Sequence, residues 1–547
     1  MFNPAIRLTV ALAVVTCGTD ALAASRPNIL IILADDLGFS DLGCYGGEIA
    51  TPNLDALAQN GLRFTQAYNT SRCWPSRACI LTGYYAQQVR RDAMPGVPDS
   101  GARGTRPRWA PLITEFLRPV GYRCYHSGKW HIDGHPLENG FDRSFEILNG
   151  GYDNYFSSAG HLEEGRPVPQ TPDYYVTRAI ADHAIRCLRE HAERFPDRPF
   201  FHYLCFTAPH FPLHAPPEDI ARYADKYLKG WNALARERHQ RMSQMGLIRH
   251  ALPEMERHIG PPYHFPEALQ QLGADEVNRP VPWEELTESQ RRFQAAKMAI
   301  HAAMIERMDR EIGRVLDQLR TMDAWDNTLI LFASDNGASA EIMVRGGGHD
   351  PSAPPGSAQS YLCLGPGWSS AANTPLRRHK TWAHEGGIAT PLIVHWPAGL
   401  RARGQLRHDP VHLMDVAPTV LEVARVIRPR LIAGVPPPPW PAKSLLPAFK
   451  RNGALRREFL WWLHEGHRAL RAGHWKIVAD ANADWELYDL ARDRGESRNL
   501  AAERPDTLRK LAALWEQHAA ATRQLATRDL PPAAPPSSPK SAPTDAP

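Results

Sequence analysis

The chain of 547 residues is long enough for one large core and a smaller companion unit. Hydrophobic residues at 43% and charged residues at 22% are ordinary for a soluble globular protein, which excludes a fibrous or wholly disordered chain. A formal net charge of +4 without a long Lys/Arg run argues against nucleic acid as a partner.

The N-terminus carries Arg7, an apolar run over 8–15 and the small-residue site Ala21-Leu22-Ala23. That pattern predicts a secretory signal peptide over 1–24, cut near Ala23-Ala24, with export to a periplasm or beyond. The run is far too short to span a bilayer, and no other segment reads as transmembrane. A lipoprotein route through Cys17 is the weaker reading, because Thr16 is a poor residue before such a cysteine. Six further cysteines, Cys44, Cys79, Cys124, Cys187, Cys205 and Cys363, show no metal-type spacing, and their pairing stays open.

After the signal, Asn28 to Ala34 is a continuous apolar run of strand length, as expected for a strand buried on both faces. It delivers Asp35 and Asp36 to the strand end, where open α/β sheets bind ligands. An Asp-rich turn is the bland alternative. Thr51-Pro52 opens a helix that Gly61 stops. Then comes Cys73-Trp74-Pro75-Ser76-Arg77-Ala78-Cys79-Ile80-Leu81-Thr82-Gly83, a turn feeding a helix, with Pro75 suited to a first helical position and Gly83 to the position past the end. Cys73 is thereby set at or just before a helix N-terminus, with Arg77 one turn on to share any anion bound there.

Cys-x-Pro-Ser-Arg, three residues, then Leu-Thr-Gly resembles the signature of the formylglycine-dependent sulfatases. The resemblance is arylsulfatase-like and runs from Arg26 to about Pro505. It implies that Cys73 is oxidised by a formylglycine-generating enzyme to 3-oxoalanine, with Arg77 as its partner.

Residues 83–108 are polar and rich in Gly and Pro, which predicts a surface loop beside the site. Lys129 and His131 stand two apart, so on a strand they would share a face. In isolation such a pair is a surface feature; the resemblance makes Lys129 a sulfate-binding group and His131 a second site residue. The apolar stretch 198–206 is another buried strand, and its end brings His210, which the resemblance makes catalytic. Residues 215–292 form a helical insertion with no chemistry assigned. Helical spacing of Met304, Ile305, Met308, Ile312, Val315, Leu316 and Leu319 marks a core helix.

The strand Thr328 to Ser334 ends in Asp335-Asn336-Gly337, repeating the first strand's design. Asp35, Asp36, Asp335 and Asn336 are hard oxygen ligands, which suits calcium, with magnesium the competitor, and does not suit zinc. Three carboxylates crowded together call for a cation. The resemblance adds Cys73, as the modified residue, to that ligand set.

The Gly/Pro/Ser-rich stretch from Gly346 to Gly367 reads as part of the site's rim. Lys380 precedes Glu385-Gly386-Gly387 at the spacing of the family's sulfate-contacting lysine, and Ala389 stands where many relatives have Arg. Asp415 reads as a helix cap, and the prolines from Pro436 mark a domain edge. Short β-type runs between 458 and 490 and a helix from Pro505 predict a small antiparallel α+β unit.

The expected organisation is a catalytic domain over 25–435, a C-terminal α+β domain over 450–525 and a disordered Pro/Ala/Ser-rich tail over 529–547. The implied fold is an α/β, alkaline-phosphatase-like sandwich on a central, mostly parallel sheet, plus the smaller unit with its antiparallel sheet. The implied reaction is hydrolysis of a small-molecule or carbohydrate sulfate ester. Arg77, Lys129 and Lys380 would clamp the sulfate, a hydroxyl of the hydrated aldehyde would attack sulfur, and His210 with Lys380 would protonate the leaving oxygen. His131 would take the proton from the second hydroxyl. A phosphonate or phosphate ester hydrolase on the same scaffold is the nearest alternative; a non-catalytic binding protein, if Cys73 stays unmodified, is the other.

Overall fold

The run Asn28–Ala34 forms β1, and its side chains alternate between two cores. Leu30, Ile32 and Ala34 face one, while Ile29, Ile31 and Leu33 face the other. A strand flanked this way must be apolar throughout, which is why its sequence shows no polar alternation. β8 (Thr328–Ser334) is built alike, with Ile330 and Phe332 on one face and Leu329 and Leu331 on the other.

The structure, a computed structural model, describes residues 26–147, 154–346 and 348–530. The expected signal peptide, Cys17 and nearly all of the expected tail lie outside the described residues. With β2 (Leu62–Tyr68), β3 (Arg123–Lys129), β4 (Arg143–Ile147), β5 (His161–Glu163), β6 (Arg166–Pro167), β7 (Phe200–Cys205), β9 (Ala389–His395) and β10 (Gln405–Arg407), the large sheet runs β10-β2-β9-β8-β1-β7-β3-β4-β5-β6. A short β11 (Val411–His412) pairs beside β2. The central strands β8, β1, β7 and β3 are mutually parallel and neighbouring. Helices Val176–Arg194 and Glu288–Thr321 pack against one face, and helices Cys73–Thr82 and Val416–Val423 against the other. The chain is therefore an α/β sandwich on a large, mostly parallel sheet, as expected.

A second sheet, entirely antiparallel, joins β12 (Leu460–His464), β13 (His467–Ala472), β14 (Trp475–Ala479) and β15 (Glu486–Asp489), covered by the helix Pro505–Thr527. A buried charge cluster fastens it to the large sheet. Glu385 accepts hydrogen bonds from Tyr68 (3.0 Å), Lys476 (3.1 Å) and Arg494 (3.0 Å), and Lys476 also pairs with Glu496 at 2.7 Å.

Three local expectations change. The stretch Tyr84 to Asp92 is buried, not surface loop. Its polar groups are satisfied by the C-terminal unit: Arg90 pairs with Asp529, Gln87 donates to the Leu463 carbonyl, and Asp92 meets His464 at 2.9 Å. β3 stops at Lys129 and His131 takes a left-handed φ of 55°, so the two do not share a strand face. Cys73 opens its helix with Pro75 two residues inside, while Gly83 ends it with φ 78°, as expected. Among the described residues all seven cysteines are free and buried, and no helix is long and apolar enough to cross a membrane.

Candidate active site

The parallel register decides where the site lies. Ala34 of β1 sits beside Ser334 of β8, so Asp35-Asp36 and Asp335-Asn336 leave the sheet at one level. β7, paired with β1 through Leu33 and Cys205, sends its chain on to His210 at the same edge. β3 follows on the far side of β7 and ends in Lys129. Four neighbouring strand ends therefore deliver polar groups to one point, and the N-terminus of the helix Cys73–Thr82 arrives there with Cys73 and Arg77.

The groups are buried and tightly paired. Asp35, Arg77, Lys129, Asp335 and Asn336 are fully buried, and Asp36, Cys73, His210 and Lys380 nearly so. Arg77 donates through Nε (3.0 Å) and one terminal nitrogen (2.7 Å) to Asp335 Oδ2, and through the other to the Lys129 carbonyl (2.8 Å). Lys129 Nζ donates to Asp35 Oδ2, and Lys380 Nζ donates to Asp36 Oδ2 at 2.9 Å. Asn336 Nδ2 donates to Asp36 Oδ1 at 2.6 Å. His210 Nε2 lies 3.7 Å from Asp36 Oδ2. Ligand atoms of Asp35, Cys73 and Asp335 fall within 4.8 Å of one another, as do those of Asp35, Asp36 and His210. The half-buried His131 packs its ring 5.4 Å from that of Trp74, the residue after Cys73.

The donor chemistry fits a hard cation. Asp335 Oδ1 and Asn336 Oδ1 are buried and have no hydrogen-bond partner among the described residues, leaving two oxygens for an ion. Burial and the neighbouring Asp35 charge push the Asp335 carboxyl up despite Arg77, the strain a cation would relieve. Burial likewise pushes the Cys73 thiol up to about 11 against the pull of Lys129 and Lys380. An unmodified thiol there is protonated near neutral pH and a poor nucleophile. Burial, then Lys380, holds the His210 imidazole well below its usual range. Burial, then Lys129 and Arg77, does the same to His131.

One residue of this cluster has no sequence signal. Glu341, almost fully buried, accepts from Lys380 Nζ at 2.9 Å and from Arg72 at 3.1 Å. It lies in an irregular segment after Gly337, with no motif around it. Arg72 precedes Cys73, donates also to Thr381 Oγ1 (2.8 Å), and lies over the rings of Trp74 (5.4 Å) and Tyr263 (5.3 Å). From the expected rim stretch, Tyr361 and Cys363 pack in one buried cluster with Phe211, the residue after His210, and Arg345, just before that stretch, places its guanidinium 5.5 Å from the Phe211 ring.

Comparison with known proteins gives a consistent result. A family model described as Sulfatase matches residues 27–426, and one described as N-sulphoglucosamine sulphohydrolase, C-terminal, matches 378–522. An uncharacterised sulfatase of Schizosaccharomyces pombe is 32% identical over 92% of this chain and 96% of its own. An arylsulfatase of Klebsiella aerogenes is 32% identical, covering 78% of this chain and 93% of its own. The crystal structure of Ps i-CgsB in complex with k-i-k-neocarrahexaose has the same fold, with a TM-score of 0.65 at 22% identity over 92% of this chain and 94% of that one.

Proposed function

The chain belongs to the sulfatase family, and from that premise we propose that it is a sulfuric ester hydrolase whose nucleophile is made from Cys73. The observation that carries this reading is the meeting of Arg77, Lys129 and Lys380 with Asp35, Asp36 and Asp335 around one buried cysteine. As 3-oxoalanine, Cys73 supplies in its hydrate one hydroxyl to attack sulfur and a second through which sulfate is later released. Calcium, with magnesium the competitor, fits Asp35, Asp36, Asp335, Asn336 and the modified residue 73, and its charge would draw electrons from the sulfate oxygens.

The chain's own residues do the rest. Arg77, Lys129 and Lys380 present fixed positive charge to a sulfate whose own charge repels a nucleophile, in a site that excludes water. Their carboxylate partners hold them in place before substrate arrives. His210, with Lys380 beside it, delivers a proton to the leaving oxygen, and His131 receives one from the second hydroxyl. Cys73 is 3% exposed, so a formylglycine-generating enzyme must reach it before the helix docks. The substrate is a small-molecule or carbohydrate sulfate ester, and the expected signal peptide makes the protein an exported one. The domain limits expected from sequence, 25–435 for the catalytic part and 450–525 for the C-terminal part, are proposed on the same basis.

The test is the mass of the tryptic peptide containing Cys73, from protein made with and without a formylglycine-generating enzyme, alongside aryl sulfate turnover. We expect activity to track the aldehyde. Plain thiol in protein that still turns over aryl sulfate would defeat the reading. Rates on an aryl phosphodiester, measured in the same preparation, separate it from the phosphonate or phosphate hydrolase alternative.

A further inference from the structure

Away from the site, the chain holds one strongly one-signed segment. From Val423 to Arg457 there is no Asp or Glu, while Arg425, Arg428, Arg430, Lys443, Lys450, Arg451, Arg456 and Arg457 supply eight positive charges. That exceeds the +4 of the whole protein, so the rest of the chain is net acidic. The basic residues are interspersed, and the absence of acids is what marks the segment.

Its first third also exposes apolar side chains in an ordered frame. Ile427 is 93% exposed, Leu431 59% and Val435 39%, and no other stretch of similar length gathers as many of the described residues' exposed large hydrophobics. Ile432 and Val435 exchange both backbone hydrogen bonds (2.8 and 3.1 Å) around Ala433 and Gly434, whose φ values of 50° and 80° make a tight hairpin. Arg428 anchors the base by lying 4.4 Å over the Trp440 ring and donating to the Pro438 carbonyl at 3.0 Å. The apolar groups are thus held outward on a fixed loop. Arg425 and Arg430 are exposed beside them, and Arg528 donates to the Pro436 carbonyl at 3.2 Å. Glu422, on the preceding helix, is the nearest acid in sequence, and Asp529, the neighbour of Arg528, pairs with Arg90.

The loop's place in the fold selects its partner. Arg26, just before β1, donates to the Ala424 carbonyl at 2.9 Å, so the loop sits at the end of β1 opposite Asp35. A seven-residue strand at about 3.3 Å per residue sets the two roughly 23 Å apart. A sulfated polymer threading into the site would need its cations at the mouth, where these are not. Exposed aliphatic tips ringed by Arg are the pattern of a surface that enters the headgroup layer of an anionic membrane.

We infer that the 425–436 loop is a peripheral membrane-docking face for an anionic lipid surface, with the active-site mouth turned away from it. The test is flotation of the full chain with vesicles of phosphatidylglycerol and phosphatidylcholine in equal parts, against vesicles of phosphatidylcholine alone. The inference predicts binding to the anionic vesicles only, weakened by salt. Changing Ile427→Asp with Leu431→Asp should lower partitioning by about tenfold or more, with aryl sulfate turnover unchanged. Arg425→Ser with Arg430→Ser should lower it by a similar factor. Equal binding by the Ile427/Leu431 variant would overturn the inference, as would no binding by the parent. Retention on dextran sulfate without vesicle binding would overturn it in favour of a soluble polyanion.

Discussion

At the scale of single residues, the site depends on charges that hold other charges. Cys73→Ala should abolish aryl sulfate turnover and leave folding intact, because it removes only a sulfur from a helix start, worth about 1 kcal/mol. A circular-dichroism melt beside the turnover assay checks both halves. Glu341 gives the less obvious case. Burial disfavours its charge, but Arg72 and Lys380 hold the carboxyl far below the usual range, so it stays ionised and pins both cations. Glu341→Gln leaves Lys380 held by Asp36 as its one remaining carboxylate among the described residues, so that one ion pair fixes it where two did. We expect kcat on a nitrophenyl sulfate to fall by about tenfold or more, since misplacing a clamp group by an ångström has that effect. Unchanged kcat and KM would mean that Asp36 alone positions Lys380. Asp35, Asp36, Asp335 and Asn336 were legible because each follows an apolar run that announces a strand end. Glu341 was not, because a carboxylate inside an irregular segment becomes visible only when Lys380 and Arg72 arrive from elsewhere in the chain.

At the scale of elements, one part of the link between the two sheets runs through the buried acid Glu385. Burial would raise the Glu385 carboxyl, yet Lys476, Arg494 and Arg471 together bring it below its ordinary 4.5. A carboxylate with a lowered folded pKa stabilises the fold above its unfolded value, and that contribution is lost as pH falls through the folded one. The protein should therefore lose stability progressively as the pH drops below about 4.5. Glu385→Ala should lower stability by about 3 kcal/mol at neutral pH, since it takes the carboxylate from Arg494 and leaves Lys476 with Glu496 alone, and should flatten the acid limb of the melting profile. An acid limb of unchanged slope would assign it to other carboxylates. The strands themselves were readable wherever both faces are buried, as in β1 and β8. Tyr84 to Asp92 misled because its polar residues are satisfied by Leu463, His464 and Asp529, and no local pattern carries pairing across more than 370 residues. His131 misled for a different reason. A period of two places Lys129 and His131 together only while the strand continues, and the backbone turns left-handed at His131 itself.

At the scale of the whole molecule, the carboxylate cluster joins elements that are otherwise far apart in sequence. Asp35 and Asp36 close β1, Asp335 and Asn336 close β8, and Cys73 opens the helix across the sheet. A cation held by all of them would tie the centre of the sheet to the helix layer, so its removal should be felt in stability as well as in turnover. A ligand at a thousandfold excess over its Kd stabilises the folded state by about 4 kcal/mol. In a chain of this size that is a shift of several degrees in melting temperature. Exhaustive chelation should thus lower the melting temperature and the aryl sulfate rate together. Calcium returned in excess of chelator should restore both, and magnesium should restore them less fully, since its smaller shell demands a near-octahedral set that these strand ends would have to distort to supply. If chelation abolished turnover but left the melting temperature fixed, no cation would be bridging β1 and β8 in the resting protein, and the buried Oδ1 atoms of Asp335 and Asn336 would need another explanation.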